Sequence, residues 1–149
     1  MSSAGSVSLK VENGIANVTF QHPQSNSLPG ALLETIAKSI DKAAQMDDAK
    51  VIVLASEGEK TFCAGASFDE LVAIQNMDEG RKFFSGFAKV INAMRKAPKF
   101  VIARVQGKAV GGGVGLACAA DYTLATTQAA VKLSELAVGI GPFVVGPAV

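Results

Sequence analysis

The feature that most constrains the fold is a glycine-rich stretch at residues 105–121, VQGKAVGGGVGLACAAD. It follows an apolar run at 100–105 that is typical of a buried β-strand, and it continues into the helix-forming sequence at 116–120. A strand, a glycine turn and a helix start bring several free backbone N–H groups to one point, at the positive end of the helix dipole. Because glycine lacks a Cβ atom, a ligand can approach this backbone closely. The stretch therefore predicts a site for an oxygen atom that carries negative charge.

Two familiar phosphate-binding motifs do not match this stretch. The Walker pattern ends in Gly-Lys-Ser/Thr, whereas Gly107 and Lys108 are followed by Ala109. The dinucleotide pattern G-x-G-x-x-G fails because its third glycine position holds Leu116 or Cys118, depending on the glycine pair that starts it. A nucleotide-binding domain is therefore the weaker alternative, and close packing of a strand against a helix is the purely structural explanation of the glycines.

The rest of the chain alternates strands and helices in a pattern typical of an α/β fold. Residues 7–11 and 15–20 alternate apolar and polar side chains around an Asn-Gly pair, which predicts a β-hairpin. Segments 28–46 and 77–96 place apolar residues three or four apart, as helices do, and the apolar run at 50–56 is typical of a strand covered on both faces. Shorter elements are predicted as a helix at 68–74 and strands at 100–105, 122–125 and 130–133.

The composition fits one domain that spans residues 1–149. Hydrophobic residues make up 49% of the chain and charged residues 18%, which allows a real core. The net charge of +1 is spread without runs, so neither nucleic acid nor a membrane is an expected partner. With no signal-peptide pattern, the sequence predicts a cytoplasmic protein. Cys63 and Cys118 lack metal-ligand spacing, so we expect reduced, mostly buried thiols and no metal.

A second turn of small residues and one carboxylate add to the candidate site. The sequence AGA at 64–66 follows a core strand and precedes a helix at Phe68, so it leaves room for a ligand at the carboxyl end of a strand. Glu135 follows the predicted strand at 130–133. His22, the only histidine, lies beside a proline in a turn and is interpreted as an ordinary loop residue.

Over nearly its whole length the chain resembles the crotonase superfamily, the enoyl-CoA hydratases and isomerases. The segments NSL at 26–28, FCAGAS at 62–67, GKAVGGGVGLACAAD at 107–121 and LSELAVGI at 133–140 carry the resemblance. It implies an α/β fold, a crotonase-like spiral of repeated β-β-α units, and trimers or hexamers of the full-length protein. The apolar end of the sequence at 141–149 favours a chain that lacks the C-terminal helical part of this fold.

The resemblance also implies an oxyanion hole for an acyl-CoA thioester. The backbone N–H groups of Ala66 and Gly112 would stabilise the thioester oxygen as it gains negative charge, which explains why small residues are needed there. Glu135 would be the catalytic acid/base. Coenzyme A enters as part of the substrate, and no further cofactor is implied. Additional substrate contacts are expected from Asn26, Leu28, Ala64, Gly65, Ser67, Phe68, Gly111 and Gly115.

Position 115 departs from the family pattern. Two-glutamate hydratases carry a glutamate there, whereas this chain has Gly115 and keeps only Glu135. A site with a single carboxylate is similar to the site of the isomerases of the family. It is also similar to the site of hydratases that resemble methylglutaconyl-CoA hydratases. We therefore expect hydration or isomerisation of an enoyl-CoA, chemistry of the kind used in fatty acid metabolism. A non-catalytic acyl-CoA-binding protein, a decarboxylase and a thioester hydrolase stay open as alternatives.

Overall fold

The first described element is the hairpin that the Asn-Gly pair predicts. Strand β1 (Ser6–Glu12) pairs antiparallel with β2 (Ile15–Gln21). The two turn residues, Asn13 and Gly14, have positive φ angles of 52° and 82°. Positive φ at both central positions is what a type I′ hairpin turn requires, so the prediction is confirmed. The structure, a computed structural model, describes residues 5–149.

The remaining elements follow the predicted alternation of strands and helices, with several short strands that the sequence did not predict. Pro29 has extended backbone angles (φ −62°, ψ 155°) and precedes the first helix, which therefore begins later than predicted. In chain order the elements are β3 (Ser27–Leu28), α1 (Gly30–Gln45), β4 (Val51–Ser56), β5 (Thr61–Cys63), β6 (Gly65–Ala66), α2 (Phe68–Val72), α3 (Met77–Lys96), β7 (Phe100–Val105), β8 (Lys108–Val110), α4 (Gly112–Ala119), β9 (Tyr122–Ala125) and β10 (Val131–Lys132), with 3₁₀ turns at Glu135–Val138 and Gly146–Ala148.

The largest sheet has the strand order β1-β2-β4-β7-β9, in which the last four strands run parallel. Parallel neighbours need a crossover, and α1 and α3 lie in the connections that lead into β4 and β7. The predicted buried strand at 100–105 is buried on one face only, because Val101, Ala103 and Val105 are buried while Phe100 is 61% exposed. The expectation of continuous burial is wrong for this strand.

Two smaller sheets are formed by short strands that lie in the segments following strands of the large sheet. Strands β10, β8 and β5 form a parallel three-stranded sheet, and β3 pairs with β6. The segment at 64–66, interpreted from the sequence as a turn, therefore contains a two-residue strand. Strands this short show no periodicity of their own, so the sequence gives no signal for them.

Helices α1 and α3 pack against each other over the sheet. They contribute apolar side chains to one core, among them Leu33, Ile36, Val90 and Met94. The helices approach closely at Gly86, where an added methyl group would lie 2.8 Å from Leu33 Cδ1. Helix α3 of this pair also contacts α2 and α4, the two helices that follow the small-residue segments.

Residues 5–149 contain neither a cluster of potential metal ligands nor an apolar helix of membrane-spanning length. No three His, Cys, Asp or Glu side chains there are grouped so that they could hold a metal ion. No helix in that range is long and apolar enough to cross a membrane. Cys63 is buried, but Cys118 is exposed, so the expectation of two mostly buried thiols is wrong for Cys118.

Candidate active site

The two small-residue segments meet at a cavity of about 220 Å³. The first turns of α2 and α4 form one side, α3 forms the base, and the segment around the 3₁₀ turn Glu135–Val138 closes the other side. Most of the site residues that the sequence predicts are brought together here: Ala64, Gly65, Ala66, Ser67, Phe68, Gly111, Gly112 and Glu135.

The first wall is the segment from β6 to α2. Gly65 has a φ of 96°, and its partner strand is β3. Ser67 is 6% exposed, and its Oγ accepts a hydrogen bond from Glu70 N (3.3 Å), which caps α2. Glu70 Oε2 in turn accepts from Gly30 N (2.9 Å) at the start of α1. These bonds hold Ala66 at the cavity.

The second wall is the N-terminus of α4. Gly111 precedes the helix with φ 54° and ψ −121°, a conformation essentially restricted to glycine. Gly112 is the first helical residue, so its N–H lies in the first turn, where no helix carbonyl can accept from it. The two walls are adjacent: a methyl group on Gly65 would lie 3.8 Å from Gly112 N.

Glu135 reaches the cavity because β10 pairs with β8. Gly111 N donates to Lys132 O (2.8 Å), which places the chain after β10 beside the glycine turn. A methyl group on Gly111 would lie 3.5 Å from Glu135 Oε1. The Oε2 atom of Glu135 is buried and has no hydrogen-bond partner among the described residues. Buried carboxylate oxygens are rarely left unpaired, so the described residues leave the hydrogen-bonding capacity of this atom unused.

Asn26 and Leu28 do not line the cavity. Leu28 is fully buried in the core. Asn26 is 5% exposed, its Oδ1 accepts from His22 N (2.9 Å), and its Nδ2 donates to Glu57 O and Thr61 O (2.9 Å each). The Asn26 side chain therefore holds the loops and Leu28 packs in the core, and a substrate contact from either residue stays a prediction.

Gly115 also lies outside the cavity lining. A methyl group there would meet Val145 Cγ1 at 2.6 Å and Ile91 Cδ1 at 3.2 Å. Val145 itself is 2% exposed. A side chain at position 115 would therefore meet apolar groups at its first atom, and the substrate contact expected of Gly115 stays a prediction.

Several lining residues were not predicted as part of a site. Phe83, Phe84 and Phe87 of α3 line the cavity, although their helical spacing indicates only an apolar face. Phe87 is also part of the core, because it is 5% exposed, and its ring would lie 2.5 Å from a methyl group on Gly112. The segment at 140–145 adds Ile140, Gly141, Pro142, Val144 and Val145. A helical periodicity cannot distinguish a core face from a cavity floor, so the phenylalanines carry no separate signal of a site.

The arrangement combines backbone donors, one carboxylate and an apolar enclosure. Small residues leave the main chain open to a ligand oxygen at Ala66 and Gly112, and Glu135 is the only charged residue among the described residues that line the cavity. Such a site can bind a polarisable carbonyl and exchange a proton with an atom near it.

The sequence matches the family described as Enoyl-CoA hydratase/isomerase over residues 10–148. The match spans most of the chain, so the chain belongs to this family. The fold agrees: the crystal structure of an enoyl-CoA hydratase from Mycobacterium smegmatis superposes with a TM-score of 0.89 at 30% identity, covering 95% of this chain and 56% of that one. The crotonase-type α/β fold that the resemblance implies is confirmed.

Relatives with different named activities match the same region. The short-chain-enoyl-CoA hydratase of Clostridium acetobutylicum is 34% identical over 137 residues, covering 91% of this chain and 52% of that protein. The ethylmalonyl-CoA decarboxylase of Xenopus tropicalis is 29% identical over 140 residues, covering 93% of this chain and 46% of that protein. The chain thus spans about half the length of the curated relatives it matches.

Proposed function

We propose that the protein catalyses hydration or isomerisation of an enoyl-CoA thioester. The observation that carries the proposal is the position of Glu135, whose Oε1 lies 3.5 Å from a methyl group built on Gly111, next to the proposed donor Gly112. Its second oxygen, Oε2, is buried without a partner among the described residues. A carboxylate beside a backbone oxyanion site is the pair of functions that proton transfer next to a thioester carbonyl needs.

In the proposed isomerisation, the Glu135 carboxylate removes a proton from the acyl carbon between the thioester and the double bond. The electron pair moves onto the thioester oxygen, which accepts hydrogen bonds from Ala66 N–H and Gly112 N–H. Glu135 then returns the proton to the far end of the allyl system. In hydration, the same carboxylate takes a proton from water as the water oxygen attacks the far carbon of the double bond, and it then gives that proton to the acyl carbon next to the thioester. Both routes place negative charge on the thioester oxygen, where preorganised donors act most strongly.

The proposal is tested with Glu135→Gln in the full-length protein. We expect acyl-CoA binding to persist while turnover falls by about 10²- to 10⁴-fold, because glutamine is nearly the same size but cannot exchange the proton. Glu59→Gln is the matched control, since Glu59 is an exposed carboxylate outside the cavity. Equal turnover of the Glu135 variant and the wild type would contradict the proposal.

The reaction type is distinguished by NMR in deuterated water. Crotonyl-CoA converted to a hydroxyacyl product identifies a hydratase that works with one glutamate. Migration of the double bond of a 3-enoyl-CoA, with deuterium incorporation and no hydroxyacyl product, identifies an isomerase. Binding without either reaction favours a non-catalytic acyl-CoA-binding protein, and release of free coenzyme A or of carbon dioxide from a carboxylated acyl-CoA favours a hydrolase or a decarboxylase.

We also propose that the whole protein is a cytoplasmic trimer or hexamer. This proposal follows from the family resemblance, and light scattering coupled to size exclusion would measure the number of subunits.

A further inference from the structure

Cys63 is a buried side chain that the proposed reaction does not use. It ends β5 at the point where the chain turns into the first wall of the cavity, and it is fully buried. Its Sγ accepts a hydrogen bond from the backbone N–H of Gly65 (3.4 Å). Gly65 is the residue immediately before Ala66, so this bond fixes the peptide unit that leads to the first proposed donor.

The opposite side of Cys63 contacts the second wall. A methyl group built on Gly113 would lie 2.8 Å from Cys63 Cβ, 3.2 Å from its Sγ and 2.7 Å from its carbonyl oxygen. Gly113 immediately follows Gly112, the second proposed donor. Cys63 therefore lies against the main chain beside both donors, through its Sγ at Gly65 and through its carbonyl oxygen, Cβ and Sγ at Gly113.

The chemistry of the thiol suits a structural contact. Burial raises the pKa of Cys63 to about 12, so the group stays neutral near neutral pH. A neutral sulfur can accept the Gly65 N–H without placing a negative charge next to the cavity, and a protonated, enclosed thiol is a poor nucleophile. Cys63 therefore has the properties of a spacer.

We propose that Cys63 is a positioning residue that sets the distance between the Ala66 and Gly112 N–H groups. The proposal rests on the proposed function, because the two N–H groups matter only if they hold the same thioester oxygen. A residue with a general packing role would affect only stability. A positioning role predicts that changes at Cys63 also alter how strongly the bound carbonyl is polarised.

The test compares Cys63→Ala and Cys63→Ser with the wild type in the full-length protein. The main measurement is the infrared carbonyl stretch of bound crotonyl-CoA labelled with ¹³C at the thioester, which moves to lower frequency as hydrogen bonds polarise the carbonyl. We expect the alanine variant to lose part of this shift and to show a kcat lower by roughly 10- to 100-fold with a smaller change in KM. Serine keeps an acceptor for Gly65 N–H, so the serine variant should keep part of the frequency shift and part of the kcat that the alanine variant loses. Cys118→Ser is the control, since Cys118 is exposed.

Wild-type frequency and kcat in the alanine variant would overturn the proposal, and so would equal losses in the serine and alanine variants. If the alanine variant does not fold, the serine variant decides alone: a frequency between those of free and wild-type-bound substrate supports the proposal, and the wild-type frequency overturns it. A wild-type protein that binds crotonyl-CoA without any shift contradicts the oxyanion site itself, which separates failure of the proposed function from failure of the role of Cys63.

Discussion

At the scale of single residues, Asn26 shows how one side chain can hold three segments of main chain. Its amide group bonds to the backbone of His22, Glu57 and Thr61, and its own φ is 57°, a conformation that asparagine tolerates better than most residues. The loops that lead to the cavity are tied together by this group. Its effect on the site is indirect, through the position of the backbone.

The first prediction concerns this amide. Asn26→Ala should lower the free energy of unfolding by about 1–3 kcal/mol, because it leaves buried backbone groups without partners. Chemical denaturation monitored by circular dichroism measures the change. The control is Asn92→Ala, at an exposed position of α3, which should change stability by no more than about 0.5 kcal/mol. Similar effects of the two substitutions would contradict the assigned role.

Single residues also differ in how much of their position the sequence predicts. The sequence predicts Gly111 as part of the site, because a glycine turn between a strand and a helix lets a ligand approach the main chain, and Gly111 lines the cavity. Its φ of 54° adds a backbone requirement for glycine that the sequence pattern does not state. The substrate contacts expected of Asn26 could not be judged in the same way. A polar residue in a loop can face a ligand or bond to neighbouring carbonyls, and only the three-dimensional positions of Glu57 and Thr61 decide which.

At the scale of elements, the contact between α1 and α3 supports the floor of the cavity. Helix α3 contains two glycines, Gly80 and Gly86, and it also carries the phenylalanines that line the cavity. Gly86 faces α1, where a methyl group would lie 2.8 Å from Leu33 Cδ1, and Leu33 is only 2% exposed. Gly80 lies nearer the start of the helix, where a methyl group would meet Ile74 Cγ2 at an ordinary 3.7 Å.

The second prediction compares these two glycines. Gly86→Ala should lower the free energy of unfolding by about 1–3 kcal/mol, because overpacking between the helices outweighs the better helix propensity of alanine. Gly80→Ala is the matched control, and it should raise stability by up to about 1 kcal/mol since only the propensity changes. Thermal or chemical unfolding of both variants gives the comparison. Stabilisation by Gly86→Ala would show that Leu33 can move aside without cost.

The long elements are predictable from the sequence, whereas the two-residue strands β3 and β6 are not. Helix α3 was predicted at 77–96 and is observed at Met77–Lys96, because its apolar residues repeat over many turns and Pro98 follows it. Strands β3 and β6 have two residues each and exist because they pair with each other. Their stabilisation is tertiary, so a local pattern cannot reveal them.

At the scale of the whole molecule, the cavity has a consistent chemical character. It is built from four regions of the chain, yet its described lining is almost entirely small or apolar, with Glu135 as the single charge. A free carboxylate on the acyl group of a substrate would enter an apolar space that already holds a negative group. Like charges at about 4 Å repel by about 4 kcal/mol at an effective dielectric constant of 20.

The third prediction follows from this charge. If the proposed function holds, kcat/KM for crotonyl-CoA should exceed that for methylglutaconyl-CoA by at least about ten-fold, since one carboxylate would be placed near another. Leu71→Arg, at a lining position, should lower this ratio of the two kcat/KM values. The neighbouring Val72→Arg, at a residue that is 66% exposed and outside the lining, should leave it unchanged. Steady-state kinetics with both substrates gives the ratio, and equal use of the two by the wild type would contradict the prediction.

One consequence follows from the open backbone at Gly112 and Ala66. If these residues donate through their main chain, the N–H groups that matter are present in every coded amino acid except proline. Most substitutions in a mutational scan would therefore report crowding at these positions and would miss the function behind it. Proline removes the N–H but changes the backbone and the side chain at the same time. Replacing the amide nitrogen by an ester oxygen would remove the N–H alone and leave the side chain as it was.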